Sequence, residues 1–82
     1  MVKEIIRTDV FISRLRKLDK SYLERVEKLI VKIITDPSIG KPMRFDRKGT
    51  REVYVSSFRL MYFYDQSKEI IYFLDLYHKD KQ

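Results

Sequence analysis

Two stripes of apolar residues at helical spacing, followed by three strand-like runs, set the class of fold open to this chain. Phe11, Leu15 and Leu18 recur at i, i+4 and i+7 with Ile12 beside them, while Arg14, Arg16 and Lys17 occupy the other faces. That spacing predicts an amphipathic helix over about residues 9–18. Thr8-Asp9 supplies its start, because a side-chain oxygen there accepts an orphan backbone N–H. Tyr22, Val26, Leu29 and Ile33 form the second stripe, widened by Leu23, Ile30 and Ile34. Asp19 and Ser21 are its candidate caps, and Ser21 and Glu24 have capping-box spacing. The helix should stop near Thr35, since the residue before Pro37 is pushed away from α geometry. So short a connection predicts an antiparallel helical hairpin.

Residues 2–7 read as a short first strand through Val2, Ile5 and Ile6. Residues 36–50 hold both prolines and both glycines and predict a loop or partial strand inside one domain. Three strands follow, at Arg51–Ser56, Phe58–Tyr64 and Ile70–Tyr77, separated by Ser56-Ser57 and by Asp65-Gln66-Ser67-Lys68. The last strand is apolar on both faces except at Asp75, so it belongs in the sheet interior or under cover on both sides. The expected fold is α+β: a two-layer β-α-α-β-β-β arrangement, with the helical hairpin on one face of a mainly antiparallel sheet. The other sheet face is left without helices.

Size narrows the function classes. The chain has 82 residues, which predicts one domain spanning 1–82 and excludes a dinucleotide-binding fold with a separate substrate domain. It has no cysteine and one histidine, with no ligand spacing of the zinc type, so neither a metal nor another cofactor is expected. No apolar run reaches membrane-span length, and charges interrupt the N-terminal segment where a signal peptide would be apolar. The chain reads as soluble and cytoplasmic.

The net charge is +6, which points to a polyanionic partner such as nucleic acid. The two halves carry equal charge, but residues 41–59 hold Lys41, Arg44, Arg47, Lys48, Arg51 and Arg59 against Asp46 and Glu52, a surplus of four. Two readings of that surplus stay open: a phosphate-contacting rim, or a solvated loop that maintains solubility. Arg14, Arg16, Lys17 and Lys20 form a second cluster that fits the polar face of an ordinary surface helix.

Arg59 stands apart. It lies inside Phe58-Arg59-Leu60-Met61-Tyr62-Phe63-Tyr64, where a guanidinium is costly unless it is paired or faces a cleft. Either Glu52 or Asp75 can pair with it, or it is presented on the open sheet face to a phosphate, which its planar fork binds bidentately. His78 follows the last strand and has the side chain suited to proton transfer near neutral pH. Tyr54 and Tyr77 are the tyrosines expected to reach the open face.

The element order and the block Phe58-Arg59-Leu60-Met61-Tyr62 resemble the RelE/ParE superfamily of toxins from type II toxin–antitoxin systems. That family carries an aromatic-or-His, Arg, aliphatic, aliphatic, Tyr block on its arginine strand. It ends in a strand and a short basic motif, here Leu76-Tyr77-His78-Lys79-Asp80-Lys81. Pro42-Met43-Arg44 resembles the segment before the family's second strand. The resemblance implies either ribosome-dependent, metal-independent cleavage of mRNA or inhibition of DNA gyrase without nuclease activity. A relative that is not toxic and only binds RNA or a partner is a third possibility. For the nuclease, attack of the ribose 2′-OH on the adjacent phosphate needs a proton acceptor, a cation on the phosphorane and a donor to the leaving oxygen. The site residues it implies are Arg59, His78, Arg51, Glu52, Lys79 and Lys81, with Lys41, Arg44, Arg47, Lys48, Tyr54 and Tyr77 as RNA contacts. The implied partners are a cognate antitoxin, mRNA and the ribosome. Glu52 and Tyr54 depart from the family pattern, since RelE-type members often place lysines on that strand. The usual C-terminal tyrosine is also missing, as the chain ends Lys81-Gln82.

Overall fold

The computed structural model describes residues 1–43 and 49–81. Among these residues, five strands and two helices run in the order β1 (Glu4–Arg7), α1 (Asp9–Leu15), α2 (Lys20–Thr35), β2 (Lys41–Pro42), β3 (Thr50–Val55), β4 (Phe58–Asp65) and β5 (Ile70–His78). A 3-10 turn at Lys79–Lys81 follows β5. The strands form one sheet in the order β1-β5-β4-β3-β2. β1 pairs with β5 in parallel, and the remaining pairs are antiparallel. The expected α+β architecture therefore holds, with β5 flanked on both sides.

Local differences have physical causes. α1 ends at Leu15 rather than near residue 18. Lys17 N–H donates to Arg14 O and Leu18 N–H to Leu15 O, tightening the chain into a turn that frees Asp19 to adopt an extended cap conformation. Asp19, not Ser21, caps α2, its carboxylate accepting from Tyr22 N at 2.9 Å. Ser21 and Glu24 then lie inside the helix and face solvent. β2 is two residues long and includes Pro42, which an edge strand tolerates because its outer side needs no ladder donor.

The core lies between the helices and one sheet face. Phe11, Val26, Ile30 and Ile33 meet Leu60, Tyr62, Ile71, Phe73 and Leu76, all essentially inaccessible to solvent. Arg7 joins β1 to α2 through a two-pronged contact with Glu27, at 2.8 and 3.2 Å. Thr8 joins α1 to β5: its hydroxyl oxygen accepts from Phe11 N at 3.2 Å and its O–H donates to Leu74 O at 3.0 Å. Because it caps the helix and ties it to the sheet, Thr8→Ala should lower stability by about 1–2 kcal/mol in urea denaturation.

The loop before β2 is locked from below. Tyr62 O–H donates to Pro37 O at 2.6 Å and accepts from Gly40 N at 2.9 Å. Arg51 donates to Gly40 O at 2.7 Å and to Ser38 O at 3.2 Å. The start of the long irregular segment is thus held by two side chains of the sheet.

Candidate functional site

Strand register decides which residues share a face. Tyr54 stands opposite Arg59, and Arg59 opposite Tyr77. Their sequence neighbours Val53, Leu60 and Leu76 pack into or against the core beneath the helices. Since successive side chains alternate, Tyr54, Arg59 and Tyr77 form a row across the face that the helices leave uncovered. Lys41 and Glu52, another cross-strand pair, lie on that same face.

Glu52 anchors the row. It is 8% exposed, and Tyr77 O–H donates to its Oε2 at 3.1 Å while Tyr54 O–H donates to its Oε1 at 3.3 Å. Nη1 of Arg59 lies 3.8 Å from the same Oε1, and the guanidinium sits 5.0 Å from the centre of the Tyr54 ring. Of the two carboxylates open to Arg59 from sequence, Glu52 is therefore the partner, and Asp75 faces Arg14 instead, at 3.5 Å. Tyr54 is 57% exposed, so the cation–π stack stands at the surface. Arg59, Tyr54, Ser56, Phe58 and Lys79 line one shallow depression. Two cations and an exposed ring thus share one hollow.

The other expected site residues are distributed differently. His78 stands opposite Phe58, whose ring packs edge-on against Tyr22 of α2 at 5.3 Å. That pair belongs to the helix side, and His78 lines a separate groove with Arg14, Lys17, Leu18 and Phe58. Arg59 and His78 thus leave the sheet on opposite faces, and Phe58 borders both hollows. His78 Nδ1 accepts from Asp80 N at 3.3 Å. Arg51 is committed to the carbonyls of the loop before β2, at the far end of β3 from Tyr54. Tyr77 offers its hydroxyl to Glu52 and is only 8% exposed, so its ring is not presented to solvent. Lys41 and Lys79 are exposed. Arg44, Arg47 and Lys48 lie outside the described residues, as does the side chain of Lys81. The service of Tyr77 to Glu52 went unread in sequence, although counting alternation from Arg59 through both hairpins would have placed the two tyrosines on its flanks.

Among the described residues no group of three or more His, Cys, Asp or Glu side chains converges to hold a metal. Among them too, no helix is long and apolar enough to cross a membrane.

A family model described as the ParE toxin of the type II toxin–antitoxin system parDE matches residues 2–82. The chain belongs to this toxin family. It is a toxin of the RelE/ParE superfamily. Solved structures agree in fold. The Mycobacterium tuberculosis RelBE2 toxin–antitoxin complex contains a chain with TM-score 0.84 and 24% identity, the match covering 95% of this chain and 99% of that one. A chain of the intact E. coli RelBE complex matches with TM-score 0.76 and 18% identity over 88% of this chain and 90% of that one. The YoeB/ParE toxin from Agrobacterium tumefaciens matches with TM-score 0.80 and 17% identity over 93% and 98%. No curated protein matches the chain significantly.

Proposed function

We propose that this ParE-family toxin arrests translation by cleaving mRNA on the ribosome, without a metal ion. The observation that carries the proposal is the shared hollow of Arg59, Lys79 and the exposed Tyr54 ring on the helix-free face. A guanidinium and an ammonium suit the charge of a phosphodiester, and the ring suits a stacked base. In the step itself the ribose 2′ oxygen bonds to the adjacent phosphorus, the P–O5′ bond breaks, and a 2′,3′-cyclic phosphate and a 5′-hydroxyl result. The 2′ proton passes to water. Arg59 and Lys79 hold the charge that gathers on the phosphorane oxygens. A strand laid around Phe58, which borders both hollows, carries its leaving oxygen toward His78, the candidate donor of the proton that oxygen takes up.

One observation favours the second reading, inhibition of DNA gyrase by binding alone. Arg59 and His78 emerge on opposite sheet faces, and both Glu52 oxygens are already engaged, so among the described residues no acid–base pair sits directly beside Arg59. His78→Ala separates the two. A nuclease should lose roughly 100-fold or more in cleavage rate, as general acid–base catalysis contributes, and with it growth arrest. A gyrase inhibitor should keep full toxicity and continue to trigger the DNA damage response.

A further inference from the structure

The Glu52 carboxylate is held by two tyrosine hydroxyls at 3.1 and 3.3 Å, whereas Arg59 approaches it only to 3.8 Å through one nitrogen. Tight arginine–carboxylate pairs are two-pronged and close, with N···O distances of roughly 2.7–2.9 Å. Here the carboxylate is pinned and the guanidinium is not. Of the guanidinium's several N–H donors, the one contact to Glu52 uses at most a single prong, and Cζ of the group lies over the Tyr54 ring, 5.0 Å from its centre. Among the described residues, the ionisable neighbours placed against Glu52 are Arg59, Tyr54, Tyr77 and, across the β2–β3 pairing, Lys41.

We propose that Glu52 is a positioning residue that keeps the Arg59 guanidinium over Tyr54 in a displaceable pair, so that an RNA phosphate binds by taking Arg59 from Glu52. This rests on the RNA reading above. Glu52 then serves two ends. It prevents the side chain of Arg59 from swinging freely, and it offsets the positive charge of Arg59 until a phosphate arrives. The carboxylate stays behind on its two tyrosines when Arg59 leaves, which is why they, and not Arg59, fix its place. A general base would instead need a Glu52 oxygen turned toward substrate, and both oxygens are taken by hydroxyls of its own sheet.

The test is the affinity of the full chain for a single-stranded RNA with 2′-O-methyl riboses, which binds but offers no 2′-OH to attack. Glu52→Gln keeps the side-chain shape and an oxygen for a tyrosine hydroxyl while removing the competing charge. It should tighten binding by about three- to tenfold and steepen the dependence on salt. Tyr77→Phe frees Oε2 to grip the guanidinium, so it should weaken binding several-fold, opposite in sign. The gain from Glu52→Gln should vanish in the Arg59→Ala background. The proposal is overturned if Glu52→Gln binds no tighter while retaining a native circular dichroism spectrum, or if the two single variants shift affinity in the same direction. A gain that persists without Arg59 also overturns it, since that would be a general charge effect. Loss of cleavage in Glu52→Gln on unmodified RNA, with affinity unchanged, would make Glu52 the base and overturn it too. Arg59→Ala without any effect on affinity would remove the RNA reading itself, a failure distinct from the others.

Discussion

Arg59→Ala is expected to abolish growth arrest while leaving the protein folded. The side chain belongs to the helix-free face and makes a single 3.8 Å contact with Glu52, so its removal takes little packing from the core. Its loss from the transition state is another matter. Deleting one preorganised group that stabilises developing negative charge costs about 100- to 1,000-fold in rate. Binding of single-stranded RNA should also lose one phosphate contact, lowering the salt slope by about 0.7. Glu52 would then lose its cation but keep both tyrosine hydroxyls, so thermal melting should move by only a few degrees. Arg59→Lys tests the shape of the group: an ammonium retains charge but not the planar fork of the guanidinium, and an intermediate cleavage rate is expected. Growth curves after induction, with cleavage assays on the purified variants, measure both.

Gly40→Ala is expected to cause the largest loss of stability, at about 3 kcal/mol. A Cβ on Gly40 would lie 2.6 Å from the Tyr62 hydroxyl, 2.8 Å from its ring and 2.9 Å from Cβ of Arg51. None of these groups can retreat cheaply. Tyr62 is fully buried, and its hydroxyl bridges Pro37 O and Gly40 N. Tyr62→Phe, which only removes that bridge, should cost about 2 kcal/mol by stranding a donor and an acceptor. The double variant should be more stable than the sum of the two losses implies, since removing the hydroxyl removes the closest clash but not the other two. The same group gives a pH signature. Burial pushes the Tyr62 phenol above its ordinary value of 10.0, although the Gly40 N–H and the Arg51 charge pull the other way. The native state therefore keeps its proton where the unfolded chain has lost it. Stability contributed by Tyr62 is intact below the ordinary tyrosine range and falls as pH rises through it. Urea denaturation at pH 8 and in the alkaline range should show this decline in the wild type, and a smaller one in Tyr62→Phe.

The layout of the fold was legible because period alone carries it. The stripes through Phe11 and Val26 demand helices that bury one side, and the block around Arg59 demands a strand whose polar exception needs a reason. Asp19 and the turn after Leu15 were harder, since α1 stops where the chain must turn into a second cap and not where its apolar pattern ends. The site was legible at Arg59, where a guanidinium among aromatics required either a carboxylate or a ligand, and Glu52 stands across β3 to receive it. His78 was not legible in the same way. Its place beside the terminal lysine in sequence suggests a neighbour of Arg59, but pairing His78 with Phe58 reverses its face. Arg51 likewise looks like a further cation of the site, yet sits on the helix side and spends its donors on Ser38 and Gly40. Cross-strand register, which no local pattern states, separates the cations that share a hollow from those that only share a strand.

The most direct measurement is primer extension on a translated reporter mRNA, with pulse labelling, after brief induction of the wild type and of Arg59→Ala. New 5′ ends inside translated codons, together with a fall in protein synthesis, are expected for the wild type and should be absent for Arg59→Ala. An intact reporter with synthesis maintained, alongside a DNA damage response that Arg59→Ala does not relieve, would contradict RNA cleavage at Arg59.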